Sequence, residues 1–182
     1  PNSVSVALGP DGTVVGGTAI GTVLFLHKNG TLIRTVPLGG TINATPVIGH
    51  LSGQPPKVYI SSNRGLTALN YQTGAKLWHN AQVLTRSQPA LGADGTVFTT
   101  SIEGVVAVNT QDGGLKWTFS HTAAREWTCP VIGMDGTVYI GSIEGSTPFR
   151  VFALDGKNGE KRWEFTGEEP RNFQSAPHGQ SP

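Results

Sequence analysis

Along most of the chain, short stretches of alternating or β-branched apolar residues end at turn residues. The stretch beginning at Pro89 shows the pattern clearly. Pro89-Ala-Leu-Gly is a short apolar run, and Ala93-Asp-Gly is a turn signal in which glycine supplies a positive φ. Thr96-Val-Phe-Thr-Thr-Ser reads as a β-branched strand and Ile102-Glu-Gly as a second turn. Val105-Val-Ala-Val has the composition of a strand buried on both faces. Asn109-Thr-Gln-Asp-Gly-Gly is a third turn, and Leu115-Lys-Trp-Thr-Phe alternates as a fourth strand. Four short antiparallel strands thus fit in about 41 residues. No helical periodicity of useful length occurs, and 25 Gly with 12 Pro in 182 residues argue against long helices.

The pattern repeats. Ala68-Leu-Asn-Tyr-Gln-Thr-Gly-Ala-Lys-Leu-Trp78, Ala107-Val-Asn-Thr-Gln-Asp-Gly-Gly-Leu-Lys-Trp117 and Ala153-Leu-Asp-Gly-Lys-Asn-Gly-Glu-Lys-Arg-Trp163 align without gaps. Their tryptophans lie 39 and 46 residues apart. Asp-Gly-Thr-Val recurs at Asp11, Asp94 and Asp135, and a proline recurs at Pro46, Pro89, Pro130 and Pro177. The three landmarks agree on a unit of 39 to 47 residues. The units are 1–43, 44–86, 87–127 and 128–173, with a further one starting at Gln174. Unit 4 carries five extra residues around Ser146–Arg150, and unit 2 carries four within His50–Pro56, read as a surface loop.

A unit of four short antiparallel strands that repeats at this period is one blade of a β-propeller. A β-sandwich shares the strand spacing but does not require one eleven-residue phrase three times. The fold class expected is therefore all-β: a propeller of four-stranded antiparallel blades, four blades plus the start of a fifth. Because the sequence stops within the first strand of another blade, the expectation is part of a seven- or eight-bladed ring. The first residue is Pro1 rather than Met, which points to a processed product or a piece of a longer chain.

The phrase Ala-x-Asn/Asp-x-x-x-Gly-x-x-x-Trp resembles the tryptophan-docking repeat of the pyrroloquinoline-quinone-like (PQQ-like, quinoprotein) propellers. Asp135-Gly-Thr-Val-Tyr-Ile-Gly-Ser142 is similar to that family's second strand. The resemblance covers essentially the whole chain. Unit 1 departs from it, with Arg34 where tryptophan would stand, and a looser contact to its neighbour is expected there. The resemblance implies that Trp78, Trp117 and Trp163 form a structural girdle between blades, packing near Gly74, Gly113 and Gly159, with Ala68, Ala107 and Ala153 opening each phrase. A buried tryptophan removes a large apolar area and its N–H can find a carbonyl, so the chemistry agrees.

Family members divide into enzymes and non-enzymes. The resemblance implies that a dehydrogenase would hold pyrroloquinoline quinone over a calcium ion, many with a disulfide between adjacent cysteines. This chain has one cysteine, Cys129, so that disulfide cannot form; the apolar run around it reads as a small buried hydrophobe. Calcium needs several converging oxygen ligands. Most acidic residues here sit in repeated turn positions, among them Asp94 with Asp135, and Glu103 with Glu144. Repetition indicates architecture, so no catalytic residue, no metal ligand and no resident cofactor is expected. His27, His50, His79, His121 and His178 show no metal-binding spacing. No G-x-S-x-G phrase, phosphate loop or dinucleotide fingerprint is present.

Positions that differ between units carry the remaining signal. Three residues before each repeated proline stand Asn43, Arg86, Trp127 and Gln174. Trp127 lies outside the docking phrase, and the loop His121-Thr-Ala-Ala-Arg-Glu-Trp127 offers Arg125 and Trp127 as a binding edge. Ordinary loop packing is the competing reading of these residues.

The net charge of +1 gives no footprint for nucleic acid, and no apolar run reaches the length of a membrane helix. The expected function is a non-catalytic scaffold that binds a protein partner or small ligand at its loops, alongside missing blades of the parent chain. The nearest family analogue is the lipoprotein of the outer-membrane β-barrel assembly machinery. The alternatives are a fragment of a quinone- and calcium-dependent alcohol or sugar dehydrogenase, and an extracellular sensor domain of a receptor or kinase. A periplasmic or extracellular location follows from the family alone.

Overall fold

A computed structural model describes residues 5–42, 44–85, 87–144 and 149–167. Within them the chain forms four antiparallel sheets. The first holds β1 (Ser5–Leu8), β2 (Val14–Gly17), β3 (Thr22–Leu26) and β4 (Leu32–Pro37). The second holds β5 (Val47–Gly49), β6 (Lys57–Ser62), β7 (Gly65–Asn70) and β8 (Lys76–Asn80). The third holds β9 (Ala90–Leu91), β10 (Thr96–Thr100), β11 (Gly104–Asn109) and β12 (Leu115–Ser120). The fourth holds β13 (Glu126–Trp127), β14 (Val131–Ile132), β15 (Thr137–Ile143), β16 (Phe149–Asp155) and β17 (Lys161–Gly167). Strand order follows chain order, and β1, β5, β9 and β14 are neighbours in succession, so they form the inner edge of a propeller arc. Glu126–Trp127 pairs with β15 and so joins the fourth sheet.

The repeated residues do the same work in each blade. Asp11, Asp94 and Asp135 each accept the backbone N–H of the threonine two residues on, at 3.0, 3.1 and 3.0 Å. The following Gly12, Gly95 and Gly136 have φ of 83°, 79° and 80°, a conformation that suits glycine. Between the third and fourth strands of every blade the register shifts at one point, after Phe25, Ala68, Ala107 and Ala153. Just before that shift Ala68 faces Trp78, Ala107 faces Trp117 and Ala153 faces Trp163. The small residue leaves room for the indole lying across it.

Blades stack through three apolar cores, one per junction. At the junction of blades two and three, the Trp78 N–H donates to the Thr110 carbonyl at 2.9 Å. A methyl on Gly113 would come within 2.5 Å of that indole. At the next junction Trp117 donates to the Gly156 carbonyl at 3.0 Å and lies on Gly159 in the same way. Blade one reverses the pair: Phe25 is the large residue on the third strand, and the Arg34 guanidinium lies over its ring at 5.3 Å. The Arg34 stem and Val36 approach Gly74, so arginine occupies the seat that tryptophan takes elsewhere. The first core is complete, with Val15, Val23, Phe25, Ile42, Val58, Ile60 and Leu69 all buried.

Sequence expectation and structure differ at Cys129, which is exposed rather than buried. Cys129 lies in the link between β13 and β14 and belongs to neither strand; Thr128 and Val131 are exposed with it, and of residues 128–131 only Pro130 is buried.

A polar contact also ties blade one to blade two. The Tyr71 hydroxyl donates to Asp11, and this bond, with the Thr13 N–H, holds the Asp11 carboxyl at about 2, below the ordinary 3.8. A depressed acid contributes stability above its unfolded pKa and loses it as pH falls through the folded one. Tyr71→Phe should therefore move the Asp11 carboxyl titration, followed by NMR, from about 2 toward 3.8. The variant should also show a shallower loss of stability with acid across that window. An unmoved midpoint would show that Tyr71 does not hold the carboxylate.

Candidate functional site

The loop between the third and fourth sheets, residues 121–127, is pinned at both ends and open in its middle. Its first anchor is His121, whose Nε2 contacts Glu144 while its ring packs on Phe152 with centroids 5.2 Å apart. A tight turn follows, in which the Ala124 N–H donates to the His121 carbonyl at 3.1 Å. The Arg125 N–H then donates to the Ile143 carbonyl at 2.8 Å, and Glu126 and Trp127 pair with Ile143 and Ser142. Alternation in this two-residue strand turns Glu126 out and Trp127 in. Trp127 is half-buried against the third interblade core, edge-on to Phe119 at 6.4 Å and tilted on Phe152 at 5.9 Å. Trp127 is thus placed as an anchor, and Thr122, Ala123, Arg125 and Glu126 form the exposed tip.

Behind the loop lies an ion network absent from the sequence expectations. Glu144 accepts from Arg150, which also reaches Glu164, and Lys161 bonds Glu164 at 2.6 Å. The His121 hydrogen bond first, and the Arg150 bond and charge after it, hold the Glu144 carboxyl below the usual carboxylate range against the cost of burial. Glu144 and Glu164 in turn raise the Arg150 guanidinium above its ordinary value. By sequence, Glu144 is the counterpart of Glu103, which is exposed. The insertion in unit 4 separates them. It lengthens β15 and β16 to seven residues each, against five in β10 and six in β11, and brings Arg150 beside Ser142 and Glu144. The extra residues were visible in the sequence, but nothing there indicated which charges they would bring together.

Of the other residues singled out for binding, Asn43, Arg86 and Gln174 lie outside the described residues. Arg125 and Trp127 are two residues apart on one loop but play opposite parts, tip and anchor. The docking residues Trp78, Trp117, Gly74, Gly113 and Gly159 sit at blade junctions.

Among the described residues, no three His, Cys, Asp or Glu side chains come together as a group able to hold a metal ion. Within those residues there is thus no carboxylate cluster of the kind that calcium beneath a quinone would draw on. No helix of the described residues is long and apolar enough to cross a membrane.

The family model for outer membrane protein assembly factor BamB matches residues 2–180. The chain belongs to this family. Among curated proteins, no relative matches the sequence. Among solved structures, BamB from Moraxella catarrhalis is similar at 21% identity and a TM-score of 0.70, over 88% of this chain and 47% of that one. The C-terminal WD40 domain of Sif2 is similar at 14% identity and a TM-score of 0.72, over 92% of this chain and 47% of that one. Quinohemoprotein alcohol dehydrogenase from Comamonas testosteroni is similar at 20% identity and a TM-score of 0.56, over 70% of this chain and 21% of that one. At these identities the likeness is one of fold, and the fold is a β-propeller of PQQ-like blades. The chain spans just under half the length of the first two.

Proposed function

We propose that this chain is a non-catalytic propeller scaffold that works outside the cytoplasm in outer-membrane protein assembly. It binds a protein partner through the tip of the 121–127 loop. The observation that carries this reading is how the polar residues are used. Asp11, Asp94, Asp135, Asn70, Asn109 and Asp155 are each bonded to backbone N–H groups of their own turns. The 121–127 loop breaks that repetition, is braced from behind, and offers an exposed arginine beside exposed small residues. The membership of the BamB family supports the scaffold reading, and the dehydrogenase reading draws on fold likeness alone.

The test has two arms. A photo-crosslinking residue at position 125 is expected to capture one discrete protein in cells with an outer membrane, and the same residue at Lys76, exposed on β8, is not. Calorimetric titration of the folded chain with pyrroloquinoline quinone plus calcium is expected to show no saturable heat. Saturable calcium-dependent binding would overturn the non-catalytic part, and equal capture at both positions would overturn the loop assignment.

A further inference from the structure

The link between the first and second strands is short in three blades and long in one. Blades three and four use four residues there, 92–95 and 133–136, and blade one uses five, 9–13. Blade two uses seven, 50–56. This longer loop has a fixed shape. The Gln54 N–H closes a turn on the Leu51 carbonyl at 3.0 Å, with Gly53 at a φ of 74°. The Pro56 carbonyl then accepts the Tyr71 N–H at 3.1 Å.

The loop leans on blade three. A methyl on Gly95 would lie 3.4 Å from Leu51 Cδ1, whereas a methyl on Gly136, the counterpart in blade four, would meet nothing within 4 Å. Just after the loop, Lys57 Nζ donates to the Thr110 carbonyl of blade three at 2.9 Å. Between the loop and two turns of blade three, 92–95 and 110–114, lies a cavity of about 380 Å³. Ligand sites run from about 300 to 1,000 Å³, so this one suits a small molecule. The 110–114 turn and the 121–127 loop stand at opposite ends of β12, so the cavity is separate from the proposed partner loop.

The chemistry of this place differs from its counterpart in blade four. There Arg162 closes its guanidinium on Asp135 at 3.1 Å, Thr137 at 2.5 Å and Asp155 at 2.9 Å. Blade three has Lys116 for that arginine and Asn109 for Asp155. Lys116 Nζ donates to Thr96 Oγ1 at 2.5 Å and stands 3.5 Å from Asp94. An ammonium carries three N–H groups, so donor capacity is left for the cavity that Lys116 lines. Gln54 and Gln111 also line it. Their backbone N–H groups serve their own turns, while their side-chain amides make no hydrogen bond among the described residues.

One ammonium beside one carboxylate leaves the lining without net charge, so it favours neither an anion nor a cation. The amides and the Ser52 hydroxyl donate and accept together, next to the apolar Leu51 side chain. The ligand that matches is neutral, carries several adjacent hydroxyl groups and has a C–H face.

We propose that this cavity is a binding site for a single sugar residue. Lys116 and the Gln54 and Gln111 amides donate to its hydroxyl groups, Asp94 accepts from one of them, and Leu51 packs on a C–H face. The site is a binding site only, and it adds a small-molecule ligand to the scaffold role.

The test is an NMR titration of the 182-residue chain with glucose, galactose and N-acetylglucosamine, and separately with glycine and inorganic phosphate. At least one sugar is expected to shift the Gln54 and Gln111 side-chain amides and the Gly95 N–H saturably. A Kd on the order of 1 mM suits a ligand of this size. The methyl glycoside of that sugar distinguishes the source: retained binding means that the end of a glycan fits, and lost binding means that the free sugar is the ligand. Gln54→Ala and Gln111→Ala should each weaken binding about 3- to 10-fold, the loss of one hydrogen bond, with an unchanged circular dichroism spectrum. Lys116→Met should weaken it further. Crosslinking through position 125 should be unaffected by all three, so this site and the partner loop stand or fall separately. No saturable shift with any of the sugars overturns the proposal. So does saturation by glycine or phosphate in their place, which would make the cavity an ion site. Sugar binding that survives all three substitutions overturns it too, because the sugar would then sit elsewhere.

Discussion

Trp117→Ala is expected to destabilise the fold by about 3–5 kcal/mol, the range for deleting a large aromatic from a packed core. The indole is 9% exposed, sits 5.6 Å from the Phe98 ring and donates to the Gly156 carbonyl of the next blade. Its loss removes apolar area, leaves a cavity at the third junction and orphans a buried carbonyl. A paired measurement identifies the contact responsible. Gly159→Ala places a methyl 2.6 Å from the Trp117 ring, at a φ of 76°. In the native chain that change carries both backbone strain and collision. In the Trp117→Ala background only the strain remains, about 1–2 kcal/mol. Urea unfolding of the four proteins should therefore give strongly non-additive midpoints. Additive effects would mean that the tryptophan and the glycine turn stabilise the molecule separately, and the girdle would not be a set of such pairs.

The second large effect is expected at Gly104. This residue opens β11 at a φ of 150°, and a methyl there would stand 1.9 Å from the Phe119 carbonyl oxygen. The obstacle is backbone of the partner strand, so no side chain can swing aside. Gly104→Ala should cost at least about 3 kcal/mol, combining an unfavourable backbone conformation with a broken strand pairing. Gly136→Ala is the control. Its φ of 80° is also left-handed, but nothing lies within 4 Å of the added methyl, so about 1–2 kcal/mol is expected. Equal costs at the two positions would show that conformational preference alone governs these glycines.

The bracing of the 121–127 loop separates what local pattern can reveal from what it cannot. Arg125 and Trp127 stood out in the sequence because they interrupt a repeat, and the structure places both on one loop. Their different roles come from period-two alternation within a two-residue strand, which exists only because β15 pairs with it. Glu144 looked like the counterpart of Glu103, since a repeat alignment compares positions and not neighbours. The lengthened hairpin then surrounded Glu144 with His121 and Arg150. Cys129 differs from expectation for a similar reason: an apolar run gives mean hydropathy only, and this residue falls in the link between β13 and β14, exposed together with Thr128.

The sequence by itself determined the blade. Turn residues at fixed offsets and β-branched runs between them act over a few residues, and three copies of one phrase made the unit and its period unambiguous. It also identified the tryptophans as the residues that repeat with that unit. Only the tertiary structure decided what Trp78 and Trp117 meet, because the partner glycine is in a turn 35 and 42 residues further along the chain. It decided that Arg34 fills the same seat beside Phe25, an exchange of large and small residues across two strands that no single position announces. It decided, finally, that among the described residues Trp163 is 46% exposed while Trp78 and Trp117, which close the same phrase, are 8% and 9% exposed. Burial belongs to the neighbours a residue acquires, and a repeated phrase reads the same whatever packs against it.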